Sequence, residues 1–246
     1  MLGKSLATRG IFDRAMEVMN EAVSVCELEL QRTPDHQRLQ FLLADSLRGR
    51  AVPQNMAGNL QEAKTSLMQA QVIFANLLTK APDDPNYLRR AAGCESTLAV
   101  TLVRSDGYES AREHLLKANA ILKRLERDGQ LPIRIRPDFA SNIINLASVE
   151  FYLGNQQRAQ ELFDEAAQAY QQLTLLEPGV VEHKYNEVLT TLNSGKVAVA
   201  LGTIDEILVK YRELEPKMAA LSDDELKAEI AGKHPYATWL KRTQIQ

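Results

Sequence analysis

Apolar residues recur along this chain in steps of three and four, and the whole arrangement returns at a spacing of 48 residues. Such steps place side chains on one side of an α-helix, so each apolar run predicts an amphipathic helix. Alanines mark the repeat in two registers, namely Ala15, Ala63, Ala111 and Ala159, and Ala22, Ala70, Ala118 and Ala166. The period indicates a repeat protein in which each unit packs on its neighbours.

One repeat unit, taken as residues 57–104, contains two helices. The apolar pattern predicts a helix from about residue 60 to 77 and a second from about 86 to 104, with residues 82–85 between them. Proline cannot continue the hydrogen-bond ladder of the first helix, and aspartate can cap the second. Because the turns are short, the two helices are expected to be antiparallel neighbours. In the third unit Pro132 and Pro137 lengthen this segment, and we expect a protruding loop there.

The repeated small residues predict where the helices cross. Two helices approach to about 8 Å only where the side chains between them are small. Ala63 and Ala111 are therefore expected at helix crossings, with Leu67 and Leu115 filling the space beside them.

The predicted fold is all-α, a solenoid of antiparallel helix pairs. The repeat array is expected to cover residues 1–215. Residues 216–246 are expected to form C-terminal capping helices, because a terminal repeat must shield its open face. The single tryptophan, Trp239, is expected to pack in that cap, with ligand binding as the alternative. At the other end, residues 5–8 resemble the last turn of a helix, so either the array starts with a half unit or the chain is a piece of a longer protein.

Composition narrows the classes of function. A net charge of −3 gives no support for nucleic acid as a partner. No stretch approaches about 18 consecutive apolar residues, and the first residues lack a signal-peptide pattern, so we expect a cytoplasmic protein without a membrane segment. Cys26 and Cys94 lack the spacing of a metal or redox motif, and buried thiols are the expectation.

Catalytic motifs are missing from the sequence. It contains no phosphate-binding glycine loop, no dinucleotide-binding glycine motif, no zinc-protease motif and no nucleophile elbow. The four histidines are scattered, without a ligand or nucleophile at helical spacing. We therefore predict no enzyme activity, no catalytic residues, no metal, no cofactor and no small-molecule substrate. An enzyme that uses the array as a cleft is the least favoured hypothesis.

The pattern resembles the tetratricopeptide repeat (TPR). The resemblance covers about residues 5–215, and the segment 145–147 followed by Gly154, Ala159, Phe163 and Ala166 matches the motif spacing. The usual repeat has 34 residues, and each helix here is longer by seven, about two turns. The resemblance implies a right-handed superhelix. Arrays of long repeats of this kind resemble those attached to bacterial serine/threonine protein kinases, notably of planctomycetes.

The resemblance also implies a binding surface. In TPR arrays the first helix of each pair lines a concave groove, and on this basis the candidate partner-binding residues are Arg48, Arg104, Asn145, Tyr152, Asn193 and Lys196. TPR proteins that bind chaperone tails hold the peptide carboxylate with lysine and asparagine side chains. This chain has Ser96 and Val100 at two of those positions, so binding of a chaperone tail is not predicted. For Asn145, hydrogen bonding to a neighbouring helix is the alternative, and the charged residues could form an exposed face without a ligand.

Two hypotheses about function follow. The first is a non-catalytic scaffold that binds a protein or peptide segment, acidic or extended, in the groove. The alternative is the regulatory or docking segment of a larger bacterial signalling protein, such as a serine/threonine kinase.

Overall fold

The computed structural model describes residues 12–126 and 131–201, and every regular element in these ranges is an α-helix. The eight helices are α1 (Phe12–Arg32), α2 (Gln37–Ala57), α3 (Leu60–Lys80), α4 (Pro85–Val103), α5 (Tyr108–Lys123), α6 (Arg136–Tyr152), α7 (Gln156–Leu176) and α8 (Val181–Leu201). The expected all-α class is confirmed. The predicted capping helices lie outside the described residues.

The sequence period sets the positions of the helices. Helices α1, α3, α5 and α7 begin at residues 12, 60, 108 and 156, which are 48 residues apart. The four alanines of the first register, from Ala15 to Ala159, are each 0% exposed. Ala63 and Ala111 are thus buried, which agrees with the helix crossings predicted for them, since a close crossing requires a small side chain without exposed surface.

The described residues form two compact units. The first runs to Thr101 and the second begins at Leu102. Within the first unit α1 packs on α2 and α2 on α3; within the second α5 packs on α6, α6 on α7 and α7 on α8. Consecutive helices joined by a few residues run antiparallel, so each unit consists of the helix pairs that the pattern predicts.

The turns end the helices by the expected chemistry. Pro82 follows α3, and Asp84 caps α4 by accepting hydrogen bonds through Oδ1 from the backbone N–H groups of Asn86 (2.8 Å) and Tyr87 (3.0 Å). Gly58 ends α2 with a φ of 85°. This left-handed conformation strains other residues, so glycine is the appropriate choice there.

The third turn differs from the others. Helix α5 ends at Lys123, and a short turn in which Ile135 donates to the carbonyl of Pro132 (2.8 Å) leads into α6. Leu125, just after α5, and Ile135, just before α6, are both buried. The protruding loop was expected over residues 128–138. Residues 131–135 of this segment lead into α6 through the turn, Pro137 lies in the first turn of that helix, and residues 127–130 lie outside the described ranges.

Equivalent residues in the two units make equivalent contacts. The thiol of Cys94 donates to the carbonyl of Leu67 (3.4 Å), and 48 residues further on the amide of Asn142 donates to the carbonyl of Leu115 (2.8 Å). Both side chains connect the two helices of a pair. Cys26 and Cys94 are buried free thiols, as the sequence predicts.

The buried thiol predicts an alkaline loss of stability. Burial raises the pKa of Cys94 from 9.0 to about 12. Below pH 9 the thiol is protonated in both the folded and the unfolded chain. As the pH rises from 9 towards 12 only the unfolded chain ionises, so the folded state loses stability. At about pH 10.5 this loss amounts to about 2 kcal/mol.

Urea unfolding of the wild type and of Cys94→Ala at two pH values tests this. Between about pH 8 and 10.5 the wild type is expected to lose about 2 kcal/mol more than the variant. The raised pKa of Tyr170, about 12, acts in both proteins and cancels in this comparison. Equal losses of unfolding free energy in the two proteins would mean that the Cys94 thiol ionises as readily in the folded chain as in the unfolded chain.

Candidate functional site

Helix α6 carries a polar stripe on the side that it does not bury. Ser141, Asn145, Ser148 and Tyr152 follow one another in steps of four, three and four residues, which places them on one face. Ser141 and Tyr152 are exposed, and Asn145 and Ser148 are half-buried. The opposite side is buried and contains Ala140, Asn142, Ile143, Leu146, Ala147, Val149 and Glu150. We call the four residues the α6 stripe.

The amide of Asn145 makes no hydrogen bond to any residue that the structure describes. The interhelical role goes instead to Asn142, one turn earlier. Its Nδ2 donates to the carbonyl of Leu115 (2.8 Å) and to Oδ1 of Asn119 (2.7 Å). The alternative interpretation of Asn145, a bond to a neighbouring helix, therefore applies to Asn142. Asn145 keeps two donors and an acceptor for other molecules.

Aromatic side chains lie at the C-terminal end of the α6 stripe. The ring of Tyr152 is 53% exposed and stacks on Tyr108 with a centroid distance of 5.0 Å and an interplanar angle of 20°. Phe151 meets the same ring edge-on at 6.0 Å. The Tyr108 hydroxyl donates to Oδ1 of Asp106 (3.1 Å), which orients its ring. Sequence reasoning found Tyr152 and missed Tyr108, whose partner is 44 residues away along the chain.

Two further candidates lie on α8, which packs beside α6. Asn193 occupies the same repeat position as Asn145, and its Oδ1 accepts a hydrogen bond from Nζ of Lys196 (2.9 Å). Asn193 is buried and Lys196 half-buried. Burial lowers the pKa of Lys196 to about 8, so its ammonium group is charged at neutral pH and loses the charge not far above it. The structure thus places Asn145, Asn193 and Lys196 on neighbouring helices.

The two arginine candidates lie in different surroundings. Arg48, in the first unit, donates to Oδ1 of Asp45 through Nε (3.1 Å) and Nη2 (2.6 Å), and its side chain is only 12% exposed. Much of its hydrogen-bonding capacity is therefore used within α2. Arg104 lies in the turn after α4 and is exposed. It occupies the repeat position of Tyr152, 48 residues earlier.

Among the described residues no group of three or more His, Cys, Asp or Glu side chains could hold a metal ion. None of the described helices is long and apolar enough to cross a membrane.

Several solved structures have folds similar to that of this chain. A crystal structure of a Rap protein complexed with Competence and Sporulation Factor matches 90% of the chain with a TM-score of 0.63 and 19% identity. The chain spans 53% of that Rap protein, about half of its length. TPR-like repeats of a Podosopora anserina kinesin light chain match 90% of the chain and 94% of their own with a TM-score of 0.55 and 16% identity. The crystal structure of BtubC from P. vanneervenii matches 91% of the chain and 94% of its own length, with a TM-score of 0.50 and 16% identity.

At these identities the likeness concerns the fold. The described part of the chain has an all-α, TPR-like fold of helices packed in consecutive pairs. No protein-family model matches the sequence, and the comparison with curated proteins gives no match either.

Proposed function

We propose that this chain is a non-catalytic protein-interaction module that holds a segment of a protein partner on the α6 stripe and the adjoining face of α8. The observation that carries the proposal is the Asn145 amide, which lies on an accessible helix face without a hydrogen bond to the described residues. A half-buried amide of this kind can bond to the backbone N–H and C=O groups of an extended peptide.

The surroundings of Asn145 suit such a ligand. Seven residues further on, the exposed ring of Tyr152 is held by its stack on Tyr108 at 5.0 Å. A ring that is fixed before binding offers a large contact area with little loss of conformational entropy. One turn of α8 adds the Asn193–Lys196 pair. These groups could hold peptide backbone, apolar side chains and acidic side chains along one face.

Positively charged side chains near the α6 stripe favour an acidic segment of the partner. Lys196 and the exposed Arg104 provide positive charge within the second unit, and Arg48 remains a predicted contact in the first. Because the pKa of Lys196 is about 8, its contribution to holding an acidic group would fall above that pH. A protein partner is also consistent with the Rap structure, which is a complex with Competence and Sporulation Factor.

The other predictions about function stay predictions. The comparisons give no support to the alternative of a kinase-attached regulatory segment. The absence of catalytic motifs from the sequence supports a non-enzymatic role. A cytoplasmic location and the exclusion of nucleic acid and membrane as partners stay predictions from the sequence.

Affinity purification from the native cell followed by mass spectrometry tests the proposal. Asn145→Ala combined with Tyr152→Ala is expected to reduce the recovery of the principal co-purifying protein at least about tenfold, since each removes a contact worth about 1 kcal/mol or more. Neither side chain is buried, so the melting temperature should change little.

The matched control is Gln157→Ala combined with Gln168→Ala. Both residues are exposed on α7, away from the α6 stripe, and this variant should recover the partner as the wild type does. Equal recovery by the stripe variant and the control would place the binding site elsewhere on the chain.

A further inference from the structure

The first unit contains a pocket that is separate from the α6 stripe. It has a volume of about 240 Å³ and lies between α1, α2, α3 and the first turn, lined by Leu30, Pro34, Gln40, Leu43, Ile73 and Asn76. A cavity of about 150 Å³ with apolar walls holds a benzene molecule. The larger volume here therefore has room for two fused rings.

Gln40 occupies a repeat position that differs between copies. The residue 48 positions later is Leu88, which is 1% exposed and belongs to the core, and the two later copies carry Arg136 and Lys184. The repeat pattern therefore permits a polar residue at position 40, and the case for a site rests on the contacts of Gln40.

The hydrogen bonds of Gln40 leave an acceptor without a partner. Its Nε2 donates to the carbonyl of Pro34 (2.7 Å), and this bond fixes which end of the amide is the oxygen. Oε1 is buried and has no hydrogen-bond partner among the described residues. The last torsion of a glutamine side chain is broad, so a rotation that gives up the Nε2 bond to Pro34 can turn the oxygen towards a molecule in the pocket.

We infer that this pocket binds a tryptophan side chain of a partner protein, with the indole N–H donating to Oε1 of Gln40. Tryptophan combines two fused rings with a single donor and no acceptor, which matches the volume, the mainly apolar walls and the unsatisfied oxygen. Pro34 and Asn76 are exposed. They leave room for the partner's backbone outside the pocket, and a buried tryptophan is a common anchor of protein interfaces.

Titration of the full chain with N-acetyl-L-tryptophanamide, followed by saturation-transfer NMR, tests this inference. The expected Kd is about 0.1–1 mM, from the size of the ligand. The 1-methylindole analogue should bind at least about fivefold more weakly, because it cannot donate to Gln40. Free indole is titrated alongside, to separate a small-molecule cavity from a site for a side chain within a polypeptide.

Two variants locate the binding. Gln40→Leu is expected to fill the pocket as Leu88 fills its own position, with loss of saturable binding and an unchanged or higher melting temperature. Gln37→Leu, the same change at the exposed first residue of α2, should bind the probe as the wild type does. Undiminished binding by Gln40→Leu, or equal binding of the methylated analogue, overturns the inference.

Other occupants appear as distinct outcomes. Binding of free indole without binding of the amide would make this a small-molecule cavity. Binding of the amide only after Trp239→Ala would make the chain's own tryptophan the occupant. No binding to the wild type or to that variant up to about 10 mM would show that the pocket holds only water. Each result overturns the assignment to a partner, and none bears on the α6 stripe, which lies in the other unit.

Discussion

Phe74→Ala is expected to destabilise the chain by about 3–5 kcal/mol, the range for removing a buried phenylalanine from a packed core. The ring of Phe74 is 1% exposed on α3. It meets Phe41 of α2 edge-on, with centroids 6.1 Å apart and an interplanar angle of 73°. The variant loses apolar burial, leaves a cavity between α2 and α3, and removes an aromatic contact.

Urea unfolding followed by circular dichroism measures this effect. The control is Val72→Ala on the same helix, where the side chain is 62% exposed. That change should alter the free energy of unfolding by at most about 0.5 kcal/mol. Similar losses for the two variants would mean that Phe74 is not in a packed core.

Ala111→Leu is expected to destabilise the chain by about 1–3 kcal/mol through overpacking. Ala111 has 0% exposure and lies on α5, which packs on α6 within the second unit. A leucine at this position adds three carbon atoms where the helices leave no space, so the helices must separate or the side chain must leave its preferred rotamer.

Ala120→Leu is the matched control for this prediction. It makes the same substitution on the same helix at an exposed position. Alanine and leucine have nearly equal helix propensity, so the stability of this variant should hardly change. If Ala111→Leu were as mild as the control in thermal and urea unfolding, the close helix crossing assigned to Ala111 would be wrong.

The fold could be predicted from the sequence because its signals are local and repeated. The spacing of Ala15, Ala63, Ala111 and Ala159 predicted the beginnings of α1, α3, α5 and α7 to within a few residues. Prolines and glycines marked the ends, since proline removes a backbone donor and glycine accepts the left-handed conformation found at Gly58. Four copies of one pattern reduce the chance that any single element is misassigned.

The candidate surface was predictable only in part. The repeat register assigned Asn145, Tyr152 and Asn193 to one side of their helices. It could not show that Asn142 takes the interhelical hydrogen bonds and leaves Asn145 without one. Nor could it show that Arg48 is occupied by Asp45 three residues away, because a spacing of three permits an ion pair without requiring it.

The pocket at Gln40 illustrates the same limit. The sequence shows a glutamine where the next repeat has Leu88, but a polar residue at one repeat position can equally lie in solvent. The volume beside it and the missing partner of Oε1 depend on how α1, α2 and α3 meet.

By itself the sequence determined that the described part of this protein is a series of helix pairs with a period of 48 residues, because helical periodicity, small residues and helix-ending residues act over a few neighbouring positions. Tertiary structure alone decided which polar groups remain available for a partner. A hydrogen bond or an aromatic stack, such as that of Tyr108 with Tyr152, joins residues far apart in the chain, and its formation depends on distances that only the packed helices set.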